Sequence, residues 1–126
     1  MCSTFKLLAA ALVLSRLDQG QKLLNRRSAA QASDIMPYSP TTQPRVDGLP
    51  MALAELRDAA VTLNDNAAVN LSLKTFGGTQ GLTVYTRSLG DEFARLDRVE
   101  PDLNEATPGD PRDTTTPDAM LKTCRK

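Results

Sequence analysis

From Phe5 to Leu14 the chain is apolar at every position but Lys6, and apolar residues continue past Ser15-Arg16-Leu17-Asp18 at Leu23 and Leu24. The run predicts a helix over Ser3 to Asp18, stopped by Gly20. The same opening resembles a short export signal. Such a signal ends in a small-x-small cleavage site, whereas this stretch runs into Ser15-Arg16-Leu17-Asp18, so the helix is the better reading. The unbroken apolar run Leu7–Leu14 is far below the ~20 residues a membrane span needs, so none is expected.

Asn25 to Asp34 is small and polar. Met36-Pro37-Tyr38-Ser39-Pro40 and the stretch Pro44 to Pro50 are rich in breakers and read as loop. Met51 to Leu63 reads as a helix with Leu53, Leu56, Ala60 and Leu63 on one face. Asn64-Asp65-Asn66 interrupts it and supplies an N-cap for a further helix, Ala67 to Thr75, which Gly77-Gly78 ends. Another helix runs from Thr79 to Leu89 and stops at Gly90; Asp91 to Arg98 is short and mixed. Arg98 to Asp113, with Pro101, Pro108, Gly109 and Pro111, is long for a structureless connection, a length typical of functional or Ω-shaped loops. Thr114-Thr115-Thr116-Pro117-Asp118 places a capping residue before a proline and opens a last helix. The pattern holds no repeat and no convincing strand: the fold class it predicts is all-α, in one domain over residues 1–126.

Composition narrows the chemistry. Aromatics make up 4% and tryptophan is missing, so the core must rest on Leu, Ala and Val. Lys plus Arg and Asp plus Glu balance at 15 each, and no net field draws the chain to nucleic acid or to an acidic membrane surface. With no histidine, catalysis would fall to Ser, Lys, Asp, Glu or Tyr, and no metal-ligand spacing is present. Cys2 and Cys124 stand at opposite ends and read as unpaired.

Four groupings could carry chemistry. Ser3 and Lys6 are three apart, so at the head of a helix both side chains leave one face and the lysine can reach the serine proton. The plain alternative is an exposed serine and lysine on a helix surface. Glu100 and Asn104 could together hold and deprotonate a water molecule, or be an exposed pair on a polar loop. Arg98 and Asp113 bracket that loop and could pair across its neck. Asn64-Asp65-Asn66 is either a cap and turn or a set of side chains facing a cleft beside Ser3.

Taken together, "STFK", "YSP", "NDNAAVNLSLKTFGG" and "RLDRVEPDLNEATPGDPRDTTTP" resemble class A serine β-lactamases, in order and at matching spacing. The resemblance runs over essentially all 126 residues. It implies that the chain is the helical half of a two-domain α/β enzyme, with the loop 98–113 as its Ω-loop. The β-sheet half, including a K-T-G strand, would lie outside the chain. It implies Ser3 as the acylated nucleophile, Lys6 as its proton acceptor, and Glu100 with Asn104 as the pair that activates the deacylating water. Asn66 and Tyr38 would contact substrate, Asn70 would tie the Ω-loop to the helical domain, Arg98–Asp113 would close the loop's neck, and Glu100-Pro101 would be a candidate cis bond. The implied substrate is a β-lactam, without cofactor or metal, in the bacterial periplasm or outside the cell. Asn64 stands where the family has a serine that passes a proton to the lactam nitrogen, and an amide cannot do so. Slow ring opening, an exposed apolar face and low stability in isolation are therefore expected. An inactive truncated member or a helical interaction module is the alternative.

Overall fold

The computed structural model describes residues 1–20 and 24–126. Leu23, read above as continuing the first apolar pattern, lies outside them. A 3-10 turn, Cys2–Thr4, leads into α1, Phe5–Asp18. Phe5, Leu8, Ala9, Leu12 and Val13 are buried, the stripe that a period of 3.6 dictates. Leu7 and Leu14 on the other side are 53% and 45% exposed. The helix expected over Ser3 to Asp18 is therefore present, with its first turn tightened.

Helix α2, Leu53–Thr62, begins two residues later than the apolar pattern suggests. Met51–Ala52 forms β2 instead, antiparallel to β1, Arg27–Ser28. An all-helical reading had no place for this two-stranded ribbon. Ala52 is held extended because its N–H donates to Glu55 Oε2 (2.7 Å), which caps the helix start and leaves Met51 to pair across the chain. Glu55 is thus both the cap of α2 and the reason the strand precedes it.

Helix α3, Asn66–Lys74, is the hub: every residue from Ala67 to Leu73 is buried. Here α1 keeps one open face and α3 keeps none. The cause is side-chain size. Ala67, Ala68 and Ser72 let α1, α2 and α4 approach on all sides, and Ser72 satisfies its hydroxyl on the Ala68 carbonyl (2.9 Å). Asp65 is the N-cap, accepting from the Ala68 N–H at 2.8 Å. It also accepts from the backbone N–H groups of Thr41 and Thr42 (both 2.9 Å) and from the Thr42 hydroxyl (2.8 Å), so one fully buried carboxylate joins the 36–42 loop to α3.

Gly77 (φ 86°) and Gly78 (φ 68°) turn the chain into α4, Gly78–Ser88. Within α4, a Cβ at Gly81 would lie 1.8 Å from the Phe76 carbonyl oxygen, so no side chain fits. After α4 the chain is irregular until α5, Pro117–Cys124, whose N-cap Thr116 accepts from the Ala119 N–H (3.1 Å). Asp91 joins the two regions: it accepts from the N–H groups of Phe93 (2.9 Å) and Ala94 (2.8 Å) and from the Thr123 hydroxyl (2.9 Å).

An apolar groove of about 530 Å³ runs between α1, α4 and α5, lined by Leu7, Ala11, Leu14, Tyr85, Leu89 and Cys124 among others. It supplies the exposed apolar face that was expected. Cys2 and Cys124 are both free and exposed, as read. Among the described residues no helix is long and apolar enough to cross a membrane.

Two outcomes follow from this packing. Alanine is the better helix former by about 1 kcal/mol, yet Gly81→Ala should lower the urea midpoint, because the Phe76 carbonyl blocks the methyl and strain of about 1–3 kcal/mol outweighs propensity. A higher midpoint would show that the turn yields at no cost. For Asp91, burial opposes ionisation, but the Ala94 and Phe93 N–H groups, the Thr123 hydroxyl and the Arg87 charge outweigh it and hold the carboxyl below its ordinary value. A depressed native value gives stability that is complete above the unfolded value, near pH 4, and is lost as pH falls through the native one. The melting temperatures of wild type and Asp91→Asn should therefore differ most at neutral pH, and the gap should shrink as pH falls below about 4. A constant gap across that range would assign the effect to shape alone.

Candidate active site

Three segments converge: the head of α1, the turn between α2 and α3, and the loop 98–113. Lys6 is the second residue of α1 and is buried, 3% exposed, with Ser3 exposed on the preceding 3-10 turn. The side chain of Lys6 runs under the turn and donates from Nζ to Asn66 Oδ1 (2.6 Å), Asn64 Oδ1 (2.5 Å) and the Asn64 carbonyl (3.0 Å). Its fourth neighbour is Glu100 Oε1 at 3.7 Å. Burial lowers the lysine's pKa from its ordinary value, while Glu100 and, less strongly, Asp65 hold it up.

The turn that supplies these acceptors is shaped by its own backbone. Asn64 is left-handed (φ 55°), a conformation asparagine tolerates better than most residues. This aims its carbonyl and side chain inward, while Asp65 behind it is locked by Thr41, Thr42 and Ala68. Asn66 is fixed on two further sides: its Nδ2 donates to the Pro37 carbonyl (2.9 Å) and its backbone N–H to the Tyr38 carbonyl (3.0 Å). Tyr38, also left-handed (φ 63°), keeps its ring 63% exposed above this contact.

The loop is tied at both ends and in the middle. Arg98 Nε donates to Asp113 Oδ2 (2.6 Å), and Asp113 Oδ1 accepts from the N–H groups of Asp97 (2.7 Å) and Arg98 (2.9 Å). With Asp113 2% exposed, this neck pair is of the partly buried kind that shapes a loop, unlike the exposed Arg112–Asp110 pair nearby. In the middle, Asn70 of α3 holds Glu100 by its backbone: Asn70 Nδ2 donates to the Glu100 carbonyl (2.9 Å) and Asn70 Oδ1 accepts the Glu100 N–H (3.2 Å). The Glu100-Pro101 bond is cis. A 3-10 turn, Asp102–Asn104, then brings Asn104 Nδ2 back to Glu100 Oε2 at 2.6 Å.

Glu100 is buried, 3% exposed, so the plain reading of a glutamate on a polar surface loop fails. Lys6 on an exposed helix face fails likewise. Of the residues singled out in the sequence, Ser3, Lys6, Asn64, Asn66, Tyr38, Asn70, Glu100, Pro101 and Asn104 lie in this neighbourhood, and Arg98 with Asp113 closes the loop beneath it. The turn Asn64-Asp65-Asn66 is a cap, with Asp65 on Ala68, and the two neighbours of Asp65 bond to Lys6. Ser39 and Thr42 went unread. Ser39 Oγ accepts the Ala67 N–H (3.3 Å) and Thr42 clamps Asp65, yet both sit in a proline-rich stretch whose only sequence signal is loop. A clue was available in Asp65, a carboxylate flanked by amides with no nearby cation, which buried N–H groups must satisfy.

The model of the family described as "Beta-lactamase enzyme family" matches residues 1–126. Beta-lactamase CTX-M-4 of Salmonella typhimurium and Beta-lactamase Toho-1 of Escherichia coli are each 50% identical over 125 residues, covering 99% of this chain and 43% of theirs. Among solved structures, the ancestral (GNCA) class A beta-lactamase superposes with a TM-score of 0.95 at 58% identity, over 99% of this chain and 48% of that one. The putative class A beta-lactamase PenP from Rhodopseudomonas palustris gives 0.94 at 57%, with the same coverage. The chain thus spans less than half the length of the relatives it matches. A family match over its whole length and an almost superimposable backbone together establish that this chain belongs to the beta-lactamase enzyme family.

Proposed function

We propose that the site opens β-lactam rings through an acyl-enzyme on Ser3. The observation that carries this is the buried Lys6–Glu100 pair, with the exposed Ser3 three residues before the lysine and Asn104 hydrogen-bonded to the glutamate. Two desolvated proton-transfer groups within 3.7 Å of each other are costly to bury and serve no packing purpose that apolar residues would not serve better. Ser3 Oγ attacks the lactam carbonyl, its proton passing to Lys6 or Glu100. The C–N bond breaks, and the ring nitrogen takes up a proton. Water held between Glu100 and Asn104 then attacks the ester, loses its proton to Glu100, and releases the opened acid.

The other residues fit around this. Asn66 uses one amide hydrogen on Pro37 and one lone pair on Lys6, so one of each is free for the substrate's acylamino group. Tyr38 offers an exposed ring as a wall. On this reading the chain acts where β-lactams arrive, in the bacterial periplasm or outside the cell.

One observation favours a second reading. Asn64 occupies the position facing Lys6 with an amide, which accepts from the lysine and cannot hand a proton to the ring nitrogen. Ring opening is therefore slow, and a catalytically silent member of the family is the competing reading.

A chromogenic cephalosporin with mass spectrometry of the intact chain separates them. Slow colour change with an adduct on Ser3, lost in Ser3→Ala, is the expected result. Glu100→Gln should lower steady turnover by ~10²–10⁴, the usual worth of a general base. If penicillins, cephalosporins and carbapenems all leave Ser3 unmodified, the silent reading stands and the hydrolytic one fails.

A further inference from the structure

The chain has four methionines, Met1, Met36, Met51 and Met120. Met51 is 1% exposed inside the apolar core, and Met1 and Met120 pack against that core. Met36 lies apart. It is half-buried in the proline-rich loop and lines a surface cavity of about 410 Å³, beside Ile35, Leu73, Val99 and Pro101. Its sulfur meets a polar group: Asn70 Nδ2 donates to Met36 Sδ at 3.4 Å. The other hydrogen of that NH₂ goes to the Glu100 carbonyl at 2.9 Å.

The orientation of the Asn70 amide is set by two backbone groups of Glu100. Its Oδ1 accepts the Glu100 N–H (3.2 Å) while its Nδ2 serves the carbonyl, and turning it over would oppose donor to donor and acceptor to acceptor. The backbone that carries Met36 is pinned as well. The Met36 carbonyl accepts from the Ser39 hydroxyl (3.0 Å), and the next carbonyl, of Pro37, accepts from Asn66 Nδ2 (2.9 Å). Only the two side chains are left to respond to a change at the sulfur. A thioether is a weak acceptor that asks little of the amide, and its oxidation makes the same side chain strongly polar.

We propose that Met36 is an oxidation site whose sulfoxide loosens the Asn70 clamp on Glu100 and so slows the site. The oxidant is a peroxide small enough to enter the cavity. One sulfur lone pair is engaged by Asn70, and the other, toward the cavity, is free to attack. The S–O bond forms as the peroxide O–O bond breaks, and the hydrogen of the transferred oxygen leaves on the departing hydroxide as water. Sulfur gives up two electrons and the peroxide takes them. The new oxygen then points into the cavity, and the sulfur, now positively polarised, no longer accepts from Asn70. The second N–H of Asn70 regains an acceptor only by turning toward that oxygen, which carries the amide away from both backbone groups of Glu100. The loosening concerns the loop alone; that turnover slows with it rests on the reading of Glu100 given above.

The full chain treated with hydrogen peroxide, followed by peptide mass spectrometry and by amide hydrogen exchange, tests this. Met36 should gain one oxygen while Met51 gains none. The Glu100 N–H should then exchange about tenfold faster, the worth of roughly one hydrogen bond, and methionine sulfoxide reductases should restore the slow rate. Met36→Leu keeps the volume and removes the sulfur. It separates the effect from the other methionines and from the exposed Cys2 and Cys124, and the same peroxide should leave its Glu100 exchange unchanged. Oxidation of Met36 only together with Met51 overturns the proposal. So does Glu100 exchange that is unchanged or slower in the sulfoxide form, or equally faster in peroxide-treated Met36→Leu. If that variant does not fold, the wild-type exchange rate followed against Met36 occupancy across a peroxide series decides. Where turnover of a cephalosporin is measurable, it should fall on oxidation and recover with the reductases; a level rate overturns the proposal. Faster Glu100 exchange with Ser3 inert to every β-lactam would sink the hydrolytic reading and leave the loosening intact.

Discussion

A single buried carboxylate holds this molecule's working parts in register. Asp65 accepts four hydrogen bonds: from the Thr41 and Thr42 backbones, from the Thr42 hydroxyl, and from Ala68 at the start of α3. Each donor would be unpaired and buried or half-buried without it, at ~1–3 kcal/mol apiece. The four bonds make one rigid corner from the 36–42 loop, the α2–α3 turn and the enclosed helix. Everything with chemical potential hangs from that corner. Asn64 and Asn66 are the residues on either side of Asp65, and Tyr38 lies at the end of the loop that Asp65 anchors.

Asn70 does the same for the other half of the site, one helical turn further along α3. Its amide takes both the N–H and the carbonyl of Glu100, as a neighbouring strand would, and so places the glutamate beside Lys6 while the rest of the loop stays at the surface. The neck pair Arg98–Asp113 closes the loop but does not aim it. Aim comes from Asp65, the cap of α3, and from Asn70 within it, so the most buried element also carries the polar side chains that hold the loops. Its small residues leave room for neighbours, and its polar ones bind the loops.

The sequence made the helices legible because periodicity and punctuation agreed: Gly20, Asn64-Asp65-Asn66, Gly77-Gly78 and Pro117 fall at or within two residues of true ends. The ribbon Arg27–Ser28 with Met51–Ala52 was invisible, since two residues carry no period and Met51 reads as the first turn of a helix. Glu55 decided that boundary through a bond to the backbone, which residue identity alone does not announce. Which helix is most enclosed was likewise not legible in the sequence. Leu7 to Leu14 is the most hydrophobic stretch, yet enclosure depends on how closely neighbours can approach, and alanine and serine at Ala67, Ala68 and Ser72 outdo leucine there. As for the site, the ordered motifs located its members, and a long, specific match did most of that work. What no pattern of spacing could supply was direction: that Asn64 and Asn66 both turn an oxygen toward Lys6.

That direction follows from constraints of different origin meeting at one atom. A left-handed residue at position 64 is required for the chain to reverse between α2 and α3, and it exposes the carbonyl of that residue to the lysine. Pro37 claims the Asn66 NH₂ and leaves that residue's oxygen inward. Glu100 arrives from a separate loop because Asn70 holds it. With those three in place, Lys6 has two neutral acceptors and one carboxyl group around it before the side chain of Asn64 is counted. A hydroxyl at position 64 could donate or accept and so could follow the lysine through a change of protonation. The Asn64 carboxamide turns an oxygen to the lysine and has no hydroxyl proton to relay. The same backbone that makes the turn therefore sets the side chain of residue 64 directly against Lys6.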